Sequence, residues 1–179
     1  MSMHVAFLRA VNVGGKNLVP MSELCDLFGS LGFTGVRSLL QSGNVIFDTD
    51  RQADETIESM LEAQTAKRFG VTVDHIVRSA QNLHKAIAFN PFPAEAMKDP
   101  AHLLVIFLKK APQAKDVRAL EAAIQGPERI QAKGRQLYAV YPEGVGRSKL
   151  TNALIEKKLG ARGTARNWNT VLKLAALCK

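Results

Sequence analysis

Val36-Arg37-Ser38-Leu39-Leu40-Gln41-Ser42-Gly43-Asn44-Val45-Ile46-Phe47 is the stretch whose reading decides the fold. Val36 to Leu40 has the composition of a strand, Gln41-Ser42-Gly43-Asn44 that of a turn, and Val45 to Phe47 that of the returning strand of a hairpin. A helix is expected on each side of it. Upstream, Leu24, Leu27, Phe28 and Leu31 recur at helical spacing, Pro20 suits the first helical position, and Gly32 is a stop. Downstream, Asp50 to Phe69 reads as one long helix closed by Gly70, with Ile57, Met60 and Leu61 on one face. Its acids Asp54, Glu55 and Glu58 crowd the first turns, where the helix dipole favours negative charge. His4 to Val11 before the first helix and Val71 to Val77 after the second are short apolar runs of strand type. The order is β-α-β-β-α-β, the ferredoxin-like arrangement.

The second half of the chain repeats this order. His102 to Leu108 reads as a strand and Ala114 to Gln125 as a helix. Arg129 to Ala132 and Gln136 to Tyr141 form a hairpin around Lys133-Gly134-Arg135, and Leu150 to Leu159 is a helix closed by Gly160. Where a fourth strand should follow, only the short Arg162 to Ala165 is available before a final helix, Trp168 to Leu177. The expected fold class is therefore α+β, with two ferredoxin-like (βαββαβ-type) units in tandem, the second incomplete and ending in a helix. Residues 1–78 form the first unit and 101–179 the second. Between them, 79–100 reads as a helix and a Pro-rich connector. Pro91, Pro93 and Pro100 exclude a helix interior or a central strand there.

Composition excludes several classes of protein. The 179 residues are 46% hydrophobic and 22% charged, which is ordinary globular usage and not that of a disordered or collagen-like chain. From Met1 to Arg78 there are 7 basic and 9 acidic residues; from Ser79 to Lys179 there are 17 and 7. The first part is thus net −2 and the second net +10, so the second attracts phosphates, nucleic acid or other anions. Cys25 and Cys178 are far apart and form no C-x-x-C, so two reduced thiols are expected. The N-terminus lacks the basic and apolar regions of a signal peptide, and no apolar run approaches a membrane span, so the cytoplasm is the expected compartment.

Three polar stretches could carry chemistry. Asn12-Val13-Gly14-Gly15-Lys16-Asn17 follows the first strand; adjacent glycines free backbone N–H groups for an anion, and Lys16 adds charge. The spacing is neither that of a Walker motif nor G-x-G-x-x-G, and a tight turn explains the same residues. Ser42 and Asn44 flank Gly43 at the hairpin corner, where turn chemistry alone also accounts for them. In Thr164-Ala165-Arg166-Asn167-Trp168-Asn169-Thr170, Asn167 is a good N-cap for the last helix. Arg166 beside that helix N-terminus makes an anion-binding arrangement, and Trp168 is either a buried staple or a stacking platform. His4, His75, His84 and His102 show no metal-ligand spacing, and no nucleophile, base and orienting acid can be assembled in order. No catalytic residue, metal or cofactor is assigned.

These stretches resemble a known family. Phe7-Leu8-Arg9-Ala10-Val11-Asn12-Val13-Gly14-Gly15-Lys16-Asn17 with Val19-Pro20-Met21, Gln41-Ser42-Gly43-Asn44-Val45, and Thr164 to Val171 are similar to signatures of the domain-of-unknown-function 1697 family. Ala10 stands where the resemblance leads one to expect glycine. The resemblance covers nearly the whole chain and implies a small, soluble, mostly bacterial protein, without supplying a reaction, cofactor or catalytic residue.

The expected function is a binding module for a phosphate-bearing ligand, nucleic acid or nucleotide. The expected pocket is basic and Gly-rich, formed by Asn12, Gly14, Gly15, Lys16, Asn17, Ser42, Asn44, Arg166, Asn167, Trp168 and Asn169. This reading requires Lys16 and Arg166 to share one site. The alternative is an enzyme, a transferase or hydrolase acting on a small anionic substrate, with Lys16, Ser42, Asn44, Arg166 and Asn169 stabilising charge. A third reading has the basic face meeting an acidic protein. Partners are a phosphate-bearing small molecule or nucleic acid, not a membrane, and oligomeric state is left open.

Overall fold

The run Val5-Ala6-Phe7-Leu8 is apolar without alternation because both faces of its strand are buried, each of the four residues being fully covered. In the computed structural model, which describes residues 1–51 and 53–179, this strand is β1 (Ser2–Leu8). The first helix α1 (Met21–Ser30) and the hairpin β2 (Thr34–Ser38) and β3 (Asn44–Thr49) follow. Next come α2 (Asp54–Phe69) and β4 (His75–Ser79). The strands form one antiparallel sheet in the order β2-β3-β1-β4. Leu24 and Phe28 of α1 and Ile57 and Leu61 of α2 pack with Ala6, Leu8, Val45, Phe47 and Val77 of the sheet in one core. The long helix begins at Asp54, four residues later than its acidic run suggested; position 52, inside that predicted start, lies outside the described residues.

The connector is more helical than its prolines suggested. α3 (Ala80–Phe89) follows β4 directly, α4 (Pro93–Lys98) has Pro93 in its first turn, and a 3-10 turn starts at Pro100. Proline at a helix start loses no hydrogen bond, because the N–H it lacks has no intrahelical partner there.

The remaining elements are β5 (Leu103–Leu108), α5 (Ala114–Ala123), β6 (Arg129–Lys133) and β7 (Gln136–Val140), then α6 (Asn152–Leu159), β8 (Gly163–Asn167) and α7 (Trp168–Leu177). Their strands make a second antiparallel sheet in the order β6-β7-β5-β8. Its core joins Ile106, Leu108, Leu137 and Ala139 to Leu120, Ile155 and Leu159. The chain is thus a mixed α+β protein with two four-stranded antiparallel sheets and, among the described residues, seven α-helices.

The second sheet is not a strand short. β8 pairs with β5 over five residues, Leu104 with Asn167 through Leu108 with Gly163, as β4 pairs with β1 from His4 with Ser79 to Leu8 with His75. From sequence this strand is read as Arg162 to Ala165; it runs Gly163–Asn167. In the fold Arg166 is only 7% exposed and continues the strand, its Nη1 donating to Ala165 O.

Two compact units result: Met1–Lys85 with Leu174–Lys179, and Ala86–Lys173. Within the first, Arg37 Nη2 donates to Leu177 O at 2.5 Å and His84 Nε2 lies 3.2 Å from Cys178 O, so the chain's last residues are fastened to it. Within the second, Tyr138 Oη donates to Ala86 O at 2.5 Å.

β4 is an edge strand whose outward N–H groups need partners. Helix α2 supplies them: Glu62 Oε1 accepts from His75 N at 3.0 Å and Glu58 Oε1 from Val77 N at 2.8 Å. Glu58 is 2% exposed, and its charge is met by Arg78, equally buried, with Nη1 at 3.8 Å. Removing one member of a buried ion pair leaves the other uncompensated. Arg78→Met is therefore expected to lower unfolding free energy by about 3–5 kcal/mol in urea titrations, and adding Glu58→Gln should recover part of the loss.

Candidate functional site

The loop after β1 is held in a conformation that L-residues resist. Ala10 (φ 54°), Asn12 (φ 54°) and Asn17 (φ 49°) are left-handed, as are Gly14 (φ 58°) and Gly15 (φ 73°). Val13 and Lys16 bridge across the two glycines, with Lys16 N donating to Val13 O at 3.1 Å. Positive φ at both central residues is what a two-residue turn of type I′ demands, and glycine meets that demand without strain. Asn12 fastens the base of the loop. Its Nδ2 donates to Val19 O at 3.0 Å and Gln41 O at 3.1 Å, while its Oδ1 accepts from Val19 N at 2.9 Å. Asn17 Nδ2 donates to Ala10 O at 3.3 Å.

The bond from Asn12 to Gln41 brings the second motif to the first. Leu8 N donates to Gly43 O at 2.8 Å, and a Cβ on Gly43 (φ 85°) would lie 2.6 Å from Val11 Cγ2 and 2.9 Å from Leu8 Cβ. Only glycine lets the corner approach β1 so closely. Asn44 is fully buried, its Nδ2 donating to Leu39 O at 2.8 Å and to Ser42 Oγ at 3.2 Å. Leu40 in the same corner is also left-handed (φ 63°). Among the described residues, all four L-residues with positive φ (Ala10, Asn12, Asn17 and Leu40) lie in these two loops. Gly14, Gly15, Lys16 and Ser42 are exposed, Asn12 and Asn17 half-buried.

The third motif belongs to the second unit. Arg166 Nη1 donates to Thr164 Oγ1 at 2.7 Å and to Ala165 O at 2.8 Å, and burial pulls the guanidinium down to about 10. Asn167 Oδ1 accepts from Thr170 N at 3.0 Å and so caps α7. Trp168 is 5% exposed, which makes it a packing residue, and Asn169 is exposed. The structure thus gathers Asn12, Gly14, Gly15, Lys16, Asn17, Ser42 and Asn44 at one end of the first sheet, with Arg166, Asn167, Trp168 and Asn169 at a strand–helix junction of the second unit.

Among the described residues no His, Cys, Asp or Glu side chains gather in a way that could hold a metal ion. Burial raises the thiols of both Cys25 and Cys178, the latter to about 11. Sequence order did not single out Lys109, Lys110 and Arg162, which line one cavity in the second unit. The available signal was their position at the end of β5 and the start of β8, two strands that pair.

Two substitutions measure how tightly the loops are set. Gly43→Ala combines a left-handed alanine with a clash against Val11 and Leu8, and should cost about 3 kcal/mol in thermal or urea unfolding. Ala10→Gly relieves a left-handed L-residue at the expense of chain entropy, and should gain about 0.5 kcal/mol in the same measurement.

Comparisons with known proteins bear on family and fold. A solved structure of a conserved bacterial protein from Streptococcus pneumoniae superposes with a TM-score of 0.77 at 22% identity, covering 99% of each chain, so the two share a fold. No curated protein matches the chain. The family model for the protein of unknown function DUF1697 matches residues 1–138. The chain belongs to the DUF1697 family.

Proposed function

We propose that the protein is a binding module for a phosphate-bearing ligand, a nucleotide or nucleic acid, which it holds with the loop Asn12–Asn17 and the corner Ser42–Asn44. The observation that carries this reading is the concentration of left-handed L-residues in these two surface loops. Such backbone persists only where the surroundings over-determine it, and it gathers at ligand clamps and switches more than in ordinary turns. Here the bonds of Asn12 to Val19 and Gln41 maintain it, and the result is a fixed loop with Lys16 exposed near its tip. Lys16 supplies a point charge, Gly14 and Gly15 supply close backbone approach, and Asn17 and Ser42 supply polar groups at the rim. The ligand is thus confined to the two loops of the first unit, a narrower site than the pocket expected from sequence. Arg166 is no longer required to share a site with Lys16, since Arg166, Asn167 and Trp168 hold the strand–helix junction of the second unit. The net +10 of Ser79 to Lys179 raises the local concentration of anions around the molecule.

The same proposal treats the scaffold as two tandem ferredoxin-like units, 1–78 and 101–179, joined by 79–100. Matching strand orders support it, as does the constant offset of 100 between Phe7 and Leu8 of β1 and Phe107 and Leu108 of β5, which hold the same ladder positions.

Titration with ADP and with a short single-stranded RNA, at 50 and 200 mM salt, tests the binding reading. Lys16→Ala should weaken binding of whichever probe is taken by about tenfold, the worth of one charge-assisted hydrogen bond, with amide shifts at residues 13–17. Equal affinity in the variant, or no binding of either probe at 50 mM salt, overturns it.

A further inference from the structure

The edge of a sheet offers unpaired backbone groups to any extended chain that reaches it. The two sheets end in β2, β4, β6 and β8, and three of these edges are met or broken. Along β4, Glu62 and Glu58 take the outward N–H groups of His75 and Val77. On β8, Glu156 accepts from Gly163 N at 3.3 Å. On β2 the ladder slips between Thr34 and Arg37, around the left-handed Gly35 (φ 59°), which spoils a regular edge.

β6 keeps a regular edge. It pairs with β7 without a slip, from Arg129 with Val140 to Lys133 with Gln136. Gly134 and Arg135 form a two-residue turn, so Lys133 and Gln136 exchange backbone bonds, and Gln131 and Arg129 face β7 in the same way. The N–H and C=O groups of Ile130 and Ala132 therefore point away from the sheet, and among the described residues no group bonds to them.

Helix α5 packs beside this strand, and two depressions of about 450 and 470 Å³ lie along the edge. The first is bounded by Val117, Arg118 and Glu121 of α5 and by Ala132 and Gly134, and the second continues past Ile130 to Ile124 and Arg129. Ile130 and Ala132 turn their side chains to the core side, with Val117 and Ile124. Residues of an added strand opposite Ile130 and Ala132 would lie on that apolar side, and their neighbours would stand with the exposed Arg129, Gln131 and Lys133. The Gly134 end of the groove is positive. Arg118 and Lys133 are exposed there and form no ion pair among the described residues, whereas Arg129 is paired with Glu95. A second copy fits this edge poorly, because antiparallel pairing of β6 with itself about Gln131 sets Arg129 of each copy opposite Lys133 of the other.

We propose that β6 takes up an extended acidic segment of another protein as a fifth strand, with two apolar side chains separated by one residue facing α5 and a carboxylate beside Arg118 and Lys133. Main-chain bonds to Ile130 and Ala132 hold the segment, and the groove and its charge select it. The loop carrying Lys16 takes no part.

Titration of the full chain with the capped peptide Thr-Glu-Val-Thr-Val-Glu-Thr, and with a copy carrying lysine for both glutamates, tests this by backbone amide spectra in about 0.1 M salt. The acidic peptide should shift the amides of residues 117–121 and 130–133 saturably and slow hydrogen exchange at Ile130 and Ala132. The lysine peptide should bind about fivefold more weakly. Ala132→Pro removes an outward N–H and no ladder bond, so it should abolish binding in a chain whose circular dichroism spectrum is unchanged. Lys133→Glu, at an exposed position, should reverse the preference between the two peptides, and decides the matter alone if the proline variant does not fold. Equal affinity for the two peptides would overturn the proposal, as would no shift at Ile130 and Ala132 by about 5 mM acidic peptide. A dimer in sedimentation that protects the same two amides would overturn it also, because the occupant would then be a second copy.

Discussion

Two carboxylates one helical turn apart, Glu58 and Glu62, close the β4 edge of the first sheet, and the rest of that unit is arranged around them. Four residues of helix rise about 6 Å and two residues of strand about 6.6 Å. The pair on α2 therefore matches the outward N–H groups of His75 and Val77 almost position for position. That match sets where α2 lies along β4, and with it where Ile57 and Leu61 enter the core. The cost is a carboxylate without water at Glu58, which the buried Arg78 offsets. The closure also removes a strand edge that would otherwise recruit other chains.

The second unit uses the same device more sparingly, with Glu156 on Gly163, and this leaves its sheet end differently charged. An identical hydrogen-bonded frame carries Arg9 with Asp74 in one unit and Lys109 with Arg162 in the other. Fold and site are thus separable here: backbone pairing builds the frame, and a few side chains at its end decide what it attracts. The first unit has gone another way, spending left-handed backbone at Ala10, Asn12, Asn17 and Leu40 to join its first loop to the hairpin corner.

Much of the architecture was legible because its signals are local. The turn at Gly43, the stops at Gly70 and Gly160 and the cap at Asn167 follow from φ, chain entropy and side-chain reach over a few residues, and each appears where expected. The readings that shifted depended on strand pairing and on where an element begins. The strand read as Arg162 to Ala165 runs on to Asn167 because it pairs with β5, which sets Arg166 opposite Val105. The prolines of the connector suggested irregular chain, but Pro93 falls at a helix start, where it is tolerated. Of the polar motifs, the first two meet through Asn12 and Gln41, a bond between residues 29 apart that no periodicity encodes.

By itself, the sequence determined the order of elements, the family, the glycine turns and the uneven charge, because each depends on residue type and short spacing. Tertiary structure alone decided which cations share a cavity, which arginines are buried and which loops are tied together. Strand pairing brings Lys109 beside Arg162, packing of α2 on β4 brings Glu58 beside Arg78, and contact between distant segments is set by burial and register that no local stretch contains.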